Sequence, residues 1–181
     1  VVSKAIVLHA IRYSDSRLIV NAYTKSHGIT AFMLGIGKGK RAAQFSSLVQ
    51  PLTIVEVAFD PQAKGGLKRP NSWERARTFR AIPFDTVKTS IALFMAELVL
   101  RSVSEEERNE PLFEFLIQSV QMLDEEERTS ANFHLKFMLE LSRFLGFYPS
   151  EHDAKTGQYF NLSEGEFVPS EPFAARCLSA N

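Results

Sequence analysis

The sequence predicts an α+β fold, with a small β-barrel in its N-terminal part and helices in the rest. Apolar and polar residues alternate in short segments up to about residue 80, which is typical of half-buried strands. After Pro83 the apolar residues recur at a helical spacing, which is typical of amphipathic helices. We therefore expect two domains, residues 1–82 and residues 83–181.

Five strands are expected in the first domain. They cover residues 5–11, 18–24, 29–34 and 52–59, with a fifth in the basic stretch 67–80. The first four are rich in β-branched and aromatic residues and end at turn signals such as Ser26-His27-Gly28. Five short strands suit an antiparallel barrel that is closed or nearly closed, and closure would hide the strand edges.

Three amphipathic helices and a small β-hairpin are expected in the second domain. The predicted buried faces are Ile91, Phe94, Met95, Leu98 and Val99 in the first helix, Phe113, Leu116, Ile117, Val120 and Leu123 in the second, and Ala131, Leu135, Met138, Leu139 and Leu145 in the third. Asn109 is expected to cap the second helix, and Thr129 or Ser130 the third. Gly146 is expected to end the third helix. The hairpin is predicted near residues 157–168.

The charges are divided between the two halves of the chain. Residues 1–80 contain 13 Lys and Arg against 4 Asp and Glu, a net charge of +9, and residues 81–181 contain 8 against 17, a net charge of −9. Such a division commonly marks a nucleic-acid-binding part joined to a part with another role. Chance and the docking of one domain on the other could also produce it, and composition alone does not choose between these explanations.

The stretch GIGKGKRAAQF, residues 35–45, combines three glycines with three cationic side chains. It is not a P-loop, because no Ser or Thr follows either lysine to hold a magnesium ion. A dinucleotide-binding fingerprint would need a glycine at position 40, where the chain has Lys40, and a helix next, whereas we expect a strand near Leu52. The remaining interpretation is a flexible loop whose cations follow a nucleic-acid backbone.

Basic hairpin loops are common and usually inert, so the loop is weak evidence without its setting. The candidate DNA-binding cations are Arg12, Lys25, Lys38, Lys40, Arg41, Lys68, Arg69, Arg75 and Arg77, all within the basic half. The aromatic rings that could stack on unpaired bases are Tyr13, Phe45 and Trp73. Phe32 is expected to lie in the core instead.

No catalytic or metal-binding motif is present in the sequence. The four histidines form no HExxH unit, and the single Cys177 excludes an internal disulfide and a cysteine-cluster metal site. We expect no catalytic residue, no metal and no cofactor. No apolar run is long enough to span a bilayer, so an intracellular, cytoplasmic protein is expected. The chain is also expected to continue beyond Asn181.

Several segments, in this order and spacing, resemble the RecO family of DNA repair and recombination-mediator proteins. They are residues 4–15 (KAIVLHAIRYSD), 23–28 (YTKSHG), 35–41, 48–52 (LVQPL), 93–100 (LFMAELVL), 112–116 (LFEFL) and 144–149 (FLGFYP). No single segment is decisive, because the family lacks a catalytic signature. Together they cover most of the chain from about residue 4 to about residue 168.

The resemblance implies an N-terminal OB barrel on a helical domain that binds single- and double-stranded DNA without nucleotide hydrolysis. It also implies annealing of complementary strands and, with the partner RecR, loading of the RecA recombinase onto strands coated by the single-strand-binding protein SSB. The resemblance also implies that the protein lies in the cytoplasm and associates with the nucleoid. Members contact the acidic tail of SSB through the helical domain. The cations available there are Lys88, Arg101, Lys136 and Arg143.

One departure from the family concerns zinc. Many relatives carry a four-cysteine motif soon after the segment that matches residues 144–149, whereas this chain has Glu151, His152 and Asp153 and no cysteine before Cys177. We therefore expect no zinc. Two other functions remain open: an OB-like scaffold that binds proteins, and an OB protein that binds RNA.

Overall fold

A computed structural model describes residues 1–37, 45–103, 108–127, 131–148, 159–161, 166–169 and 177–179. Residues 1–134 form one compact unit and residues 135–181 a second. The first unit contains a β-sheet and two helices, and the second contains most of a third helix and a small sheet. The α+β fold class is therefore confirmed, whereas the predicted boundary after residue 82 stays a prediction.

The N-terminal sheet has six strands. They are β1 (Val2–Ser14), β2 (Arg17–Thr24), β3 (Gly28–Gly35), β4 (Ile54–Ala58), β5 (Leu67–Lys68) and β6 (Ser72–Arg75). The strand order is β5-β3-β2-β1-β4-β6, and all neighbours are antiparallel except the β3–β5 pair. The first four predicted strands are thus present, and the predicted fifth strand is two short strands separated by Arg69-Pro70-Asn71. Pro70 has no N–H to donate to a strand ladder, which explains the break.

The predicted barrel, closed or nearly closed, is not confirmed, because the described strands do not form a closed barrel. β5 and β6 are the two edges of the sheet and do not pair with each other. The sheet nevertheless curls strongly. The ring of Phe32 in β3 contacts the ring of Trp73 in β6, although three strands lie between β3 and β6 in the sheet. Two register shifts in β1, next to Val7 and Arg12, are the kind of irregularity that increases strand twist.

The inner face of the curled sheet encloses an apolar core. Its buried members include Ala5, Val7, Val20, Ala22, Phe32, Leu34, Val49, Val55, Val57 and Phe59. The Phe32 ring is fully buried and meets the Phe59 ring edge-on, with ring centroids 5.1 Å apart. The prediction that Phe32 belongs to the core is therefore confirmed.

The strand β1 is buried on both faces because helices cover its other side. Ala5, Ile6, Val7 and Leu8 are all buried in succession, which a one-sided sheet would not produce. The helix α1 (Thr86–Ser102) packs against β1. The helix α2 (Glu110–Glu125) brings Phe113 against Tyr23 of β2, with ring centroids 6.4 Å apart.

The caps and buried faces of α1 and α2 follow local sequence. Asn109 caps α2, since its side chain accepts a hydrogen bond from Leu112 N, and this confirms the predicted cap. The predicted face of α2 is also largely correct. In α1 the buried stripe instead includes Ala92 and Ala96, and Phe94 is 38% exposed. Small alanines thus form part of the buried stripe, which a pattern based on large residues does not reveal.

The third predicted helix exists, but its predicted buried face is wrong. The helix α3 covers Phe133–Phe144, and its buried side chains include Phe133, Phe137 and Leu141. The predicted Leu135, Met138 and Leu139 are exposed instead. The two apolar stripes compete, and the stripe with the larger aromatic rings is the one that is buried. The predicted caps Thr129 and Ser130 lie outside the described residues.

The helix α3 ends as predicted, and a small sheet follows it. Gly146 adopts a left-handed conformation with φ of 82°, which glycine tolerates best. The strands β7 (Tyr159–Asn161) and β8 (Glu166–Val168) form the predicted antiparallel hairpin. A further strand, β9 (Cys177–Ser179), pairs with β7 and was not predicted. No helix in the part of the chain that the structure covers is long and apolar enough to cross a membrane.

Candidate nucleic-acid interface

The turn between β1 and β2 forms a cationic end of the N-terminal sheet. Arg12 and Tyr13 of β1 and Arg17 of β2 are exposed there, and 62% of Tyr13 is accessible. The Nη2 atom of Arg12 donates across the turn to the carbonyl oxygen of Asp15 at 3.4 Å. Two guanidinium groups and a phenol ring are thus open to solvent at one end of the sheet. We call this group of residues the hairpin end.

The glycine-rich loop leaves the sheet beside the hairpin end. Arg17 pairs with Gly35, the last residue of β3, and Ile36 N donates to Ser16 O at 2.8 Å. The predicted loop cations Lys38, Lys40 and Arg41 lie outside the described residues. Sequence reasoning did not single out Arg17, although a cation directly after a turn in the basic half was a signal that could have identified it.

The next element after the loop in the described residues is helical. Residues 45–48 are helical and β4 begins at Ile54, so the expectation that a strand near Leu52 comes next is wrong. The described helical residues 45–48 are too few to show a hydrophobic period. The argument against a dinucleotide site therefore depends on Lys40 alone, since that position requires a glycine.

The three candidate stacking rings have different surroundings. Tyr13 stands exposed at the hairpin end. Phe45 is half-buried and packs against the core of the sheet. Trp73 also packs against this core, and its Nε1 donates to Leu48 O at 3.4 Å. Tyr13 is therefore the ring most accessible to an unpaired base, and the stacking role of all three stays a prediction.

Two candidate DNA-binding cations are engaged with acidic residues of α2. Lys25 Nζ lies 2.9 Å from Glu110 Oε1 and 2.8 Å from Glu114 Oε1, and Arg77 pairs with Glu125. The hydrogen bonds that the Lys25 ammonium donates to Glu114 and Glu110 raise the pKa of Lys25, and the bond to Lys25 lowers the pKa of Glu110. Lys25 and Arg77 are thus already paired with carboxylates, and DNA that approaches either cation must compete with them.

The other three candidate cations of the described basic half lie near β5 and β6. Lys68 is half-buried and donates to two carbonyls of the 61–63 turn. Arg75 is exposed, and its Nη2 donates to Ser47 O and Ser47 Oγ, each at 2.8 Å. Arg69 is exposed and has no side-chain partner within the described part of the chain. Arg69 and Arg75 thus keep most of their charge at the surface.

The outer face of β1, β2 and β3 runs from the hairpin end toward a groove. Ile11, Ile19 and Met33 form one row across the three strands, and the register places Asn21 and Ala31 side by side in the next row. The groove has a volume of about 390 Å³ and is lined by Asn21, His27, Ile29, Thr30, Ala31, Phe59, Pro61, Gly65, Gly66 and Lys68. This surface therefore joins exposed apolar groups, polar groups and cations.

Lys88 is buried, whereas sequence reasoning makes it a partner-binding cation. Only 3% of the residue is accessible, and its Nζ donates to the backbone carbonyls of Asp124, at 3.2 Å, and Glu126 near the end of α2. A cation beside helix C-terminal carbonyls stabilises that end of the helix. The structure thus gives Lys88 a structural contact in place of an exposed one.

The side chain of Asp124 holds the segment that connects the sheet to α1. Its carboxylate accepts hydrogen bonds from the backbone N–H groups of Arg80, Ala81 and Ile82 at 2.9 to 3.1 Å. Burial alone would raise the pKa of Asp124, but these backbone donors outweigh it and keep the pKa below its usual value. Asp124 thus ties residues 80–82 to α2, and Lys88 ties α1 to the end of α2.

The remaining candidate partner-binding cations are exposed. Arg101 of α1 forms an ion pair with Glu97 one helical turn away. Lys136 is exposed on α3. Arg143, near the end of α3, places its guanidinium 3.4 Å from the centre of the Tyr148 ring. All three keep a charged group at the surface, and their partner role stays a prediction.

The described residues contain no group of three His, Cys, Asp or Glu side chains arranged to hold a metal ion. His27 Nδ1 lies 2.8 Å from Ser26 Oγ, and its ring meets Phe59 edge-on. The ring of His134 meets Phe94 in the same way. His152 and its neighbours Glu151 and Asp153 lie outside the described residues.

Comparison with known proteins places both parts of the chain in one family. A family model described as "Recombination protein O N terminal" matches residues 1–79, and one described as "Recombination protein O C terminal" matches residues 83–179. Similar proteins share the name DNA repair protein RecO. The one from Phocaeicola vulgatus is 38% identical over 167 residues, which cover 92% of this chain and 69% of that protein. The one from Bacteroides fragilis is 39% identical with the same coverage, and the one from Flavobacterium psychrophilum is 37% identical over 168 residues, 92% and 70% of the two chains.

Proposed function

Since this chain belongs to the RecO family of DNA repair proteins, we propose that it is a recombination mediator that binds single- and double-stranded DNA, anneals complementary strands and helps to load a recombinase onto SSB-coated single strands. Its N-terminal sheet acts as an OB-like DNA-binding domain. The protein performs no chemistry on the DNA, so binding and positioning account for its action. It works in the cytoplasm at the nucleoid.

The observation that carries this proposal is the position of the hairpin end beside the start of the glycine-rich loop. Arg17 pairs with Gly35, where the chain leads into the loop that carries Lys38, Lys40 and Arg41, and Arg12 lies opposite Leu18 at the same hairpin end. Cations on adjacent segments can contact successive phosphates of one strand, and each contact releases a counterion. Tyr13 follows Arg12 in β1 and offers an exposed ring on which an unpaired base can stack.

The protein partners proposed are RecR and the acidic tail of SSB. The exposed cations Arg101, Lys136 and Arg143 support the second partner, because an acidic peptide would be attracted to them. Lys88 is left out of this set because it is buried.

A protein-binding scaffold is the second candidate function. A cavity of about 560 Å³ in the first unit is lined largely by apolar groups, among them Phe79, Ile82 and Leu93, and the neighbouring Phe84 is 85% exposed. Exposed apolar groups around a cavity are typical of protein interaction surfaces. A third candidate, an RNA-binding OB protein, would prefer RNA to DNA of the same length.

Charge reversal in the glycine-rich loop tests the proposal. The variant carries Lys38→Glu, Lys40→Glu and Arg41→Glu, and the matched control carries Lys136→Glu, Arg101→Glu and Arg143→Glu. We expect the loop variant to lose binding to labelled single- and double-stranded DNA, and the control variant to retain it. Equal DNA binding by the loop variant and the unmodified chain would favour the scaffold, and a strong preference for RNA would favour the third candidate.

A further inference from the structure

The groove on the outer face of β2 and β3 has features of a ligand site rather than of a packing defect. Its volume of about 390 Å³ lies within the usual range for small-molecule sites. Asn21 of β2 and Ala31 of β3 are direct cross-strand neighbours on its floor. The polar groups of His27, Thr30 and Lys68 are placed around this floor. A floor made of one small apolar residue and one amide, with further polar groups around it, suits a flat ring that carries hydrogen-bonding edges.

The carboxamide of Asn21 is available to a ligand. Asn21 is half-buried, and its side chain makes no hydrogen bond to any residue that the structure describes. An amide offers one acceptor and two donors in one plane, and this matches the donor and acceptor pattern on the edge of a nucleobase. Such edges are accessible only when the base is unpaired, as in a single strand.

Lys68 supplies a fixed positive charge at the side of the groove. Its Nζ donates to Pro61 O at 3.0 Å and to Ala63 O at 2.7 Å, so the ammonium group is held in place. An ammonium group has three donors, and the two carbonyls use two of them. The third can reach a phosphate next to a base that lies in the groove.

The two glycines at the groove leave its opening unobstructed. Gly65 has a φ of 96°, a conformation that other residues rarely adopt, so the turn itself explains this glycine. Gly66 has no such conformation, and a Cβ atom added there would meet nothing within 4 Å. Packing within the described protein therefore does not explain the absence of a side chain at Gly66, whereas a closely approaching ligand would.

We propose that this groove binds one unpaired nucleobase of a DNA single strand, with the Asn21 carboxamide on the base edge and Lys68 on the adjoining phosphate. The proposal rests on the proposed function and adds a base-binding site that is separate from the loop cations. A DNA single strand that lies across the row of Ile11, Ile19 and Met33 would connect the groove with the hairpin end. The distance along β2 from Arg17 to Asn21 is about 13 Å at the usual rise of a strand.

A comparison of two probes isolates the contribution of the base. One probe is a labelled oligothymidylate of about 15 nucleotides, and the other is a strand of the same length made only of abasic sugar-phosphate units. Both probes carry the same phosphate charge, so the ratio of their affinities measures contacts to bases. The ratio is measured by fluorescence anisotropy at one salt concentration for the unmodified chain and for each variant.

Two variants test the groove in opposite ways. Asn21→Ala removes the carboxamide, and Ala31→Leu fills the floor of the groove. Gln118→Ala is the matched control, because Gln118 is an exposed amide on α2 that is remote in sequence from the groove. Circular dichroism and the denaturant midpoint establish that each variant is folded.

We expect both groove variants to lower the oligothymidylate-to-abasic affinity ratio about 5- to 10-fold, the usual effect of losing one base contact, with the abasic affinity unchanged. Gln118→Ala should leave the ratio unchanged. Folded groove variants that retain the full ratio would overturn the proposed base site, as would an unmodified chain that binds both probes equally. An unmodified chain that binds neither probe would overturn the proposed function as well, so the two failures are distinguishable.

Discussion

Lys25 Nζ lies 2.8 Å from Glu114 Oε1, so a cation of the basic sheet is neutralised by a carboxylate of helix α2. Glu110 contacts the same ammonium group at 2.9 Å, and Arg77 is paired with Glu125 farther along the helix. The opposite charges of the two halves of the sequence thus partly meet within the first unit. DNA that approaches Lys25 must compete with these carboxylates.

Removing the two carboxylates should free Lys25 for phosphate binding. In the variant Glu110→Gln with Glu114→Gln, we expect tighter binding of single-stranded DNA and a salt dependence that is steeper by about 0.7 in log–log slope, the value for one added phosphate contact. The unfolding free energy should change only slightly, since exposed ion pairs stabilise little. Anisotropy titrations at several salt concentrations measure the slope.

The matched control for this prediction is Glu97→Gln with Glu140→Gln. It removes the same charge from two ion pairs on other helices, those with Arg101 and Arg143. If both double variants raise the affinity equally and neither changes the slope, the effect is general repulsion and Lys25 does not reach the DNA.

Asp124 should make the stability of the chain depend on pH in the acid range. Its pKa is lower in the folded chain than in the unfolded chain, where it is about 3.9, because backbone N–H groups bind the ionised form. Its contribution is therefore complete above about pH 4 and is lost as the pH falls through the folded pKa. We expect Asp124→Asn to lower the unfolding free energy by about 2 kcal/mol at neutral pH, and the difference from the unmodified chain to shrink in acid.

Urea unfolding at several pH values measures this difference. Asp15→Asn is the control, since Asp15 is exposed in the β1–β2 turn. A difference between Asp124→Asn and the unmodified chain that stays constant from neutral pH to about pH 2 would show that the ionised carboxylate is not what holds residues 80–82.

Tyr13 and Trp73 should respond differently to truncation. Tyr13 is 62% exposed, so Tyr13→Ala should change the unfolding free energy by less than about 0.5 kcal/mol but weaken single-strand binding by about 1 to 3 kcal/mol. Trp73 contacts Phe32 with ring centroids 5.4 Å apart, so Trp73→Ala should destabilise the fold by about 3 kcal/mol. Denaturant unfolding and anisotropy titrations separate the two effects. A stable Trp73→Ala chain with much weaker DNA binding would instead make Trp73 a stacking ring.

The first four strands were predictable because each buries one face or two, and burial produces short segments of alternating or continuous apolar residues in the sequence. Whether the sheet closes was not predictable, because closure depends on which strands meet at the edges, and β5 and β6 are too short for a clear pattern. The buried face of α3 was misjudged because the helix carries two apolar stripes, Phe133 to Leu141 and Leu135 to Leu139, and the sequence does not say which one is covered.

The positive charge of the candidate site was predictable from the sequence. Which of its cations are exposed and which are paired or buried was not. The sequence identified Arg12, Tyr13 and Arg69, which the structure leaves exposed. It could not reveal that Lys25 meets Glu114, because the two residues are 89 positions apart. The burial of Lys88 escaped prediction for the same reason, since its partners are the carbonyls near the end of another helix.

The salt dependence of single-strand binding tests the central claim most directly. If six cations, namely Arg12, Arg17, Lys38, Lys40, Arg41 and Arg69, contact phosphates, the log–log slope should be about −4, a loss of roughly two to three decades of affinity between about 50 and 200 mM salt. The measurement is a titration of labelled single-stranded DNA with the full chain across this range. A slope near −4 is the predicted result, and tight binding that does not change with salt would contradict the account.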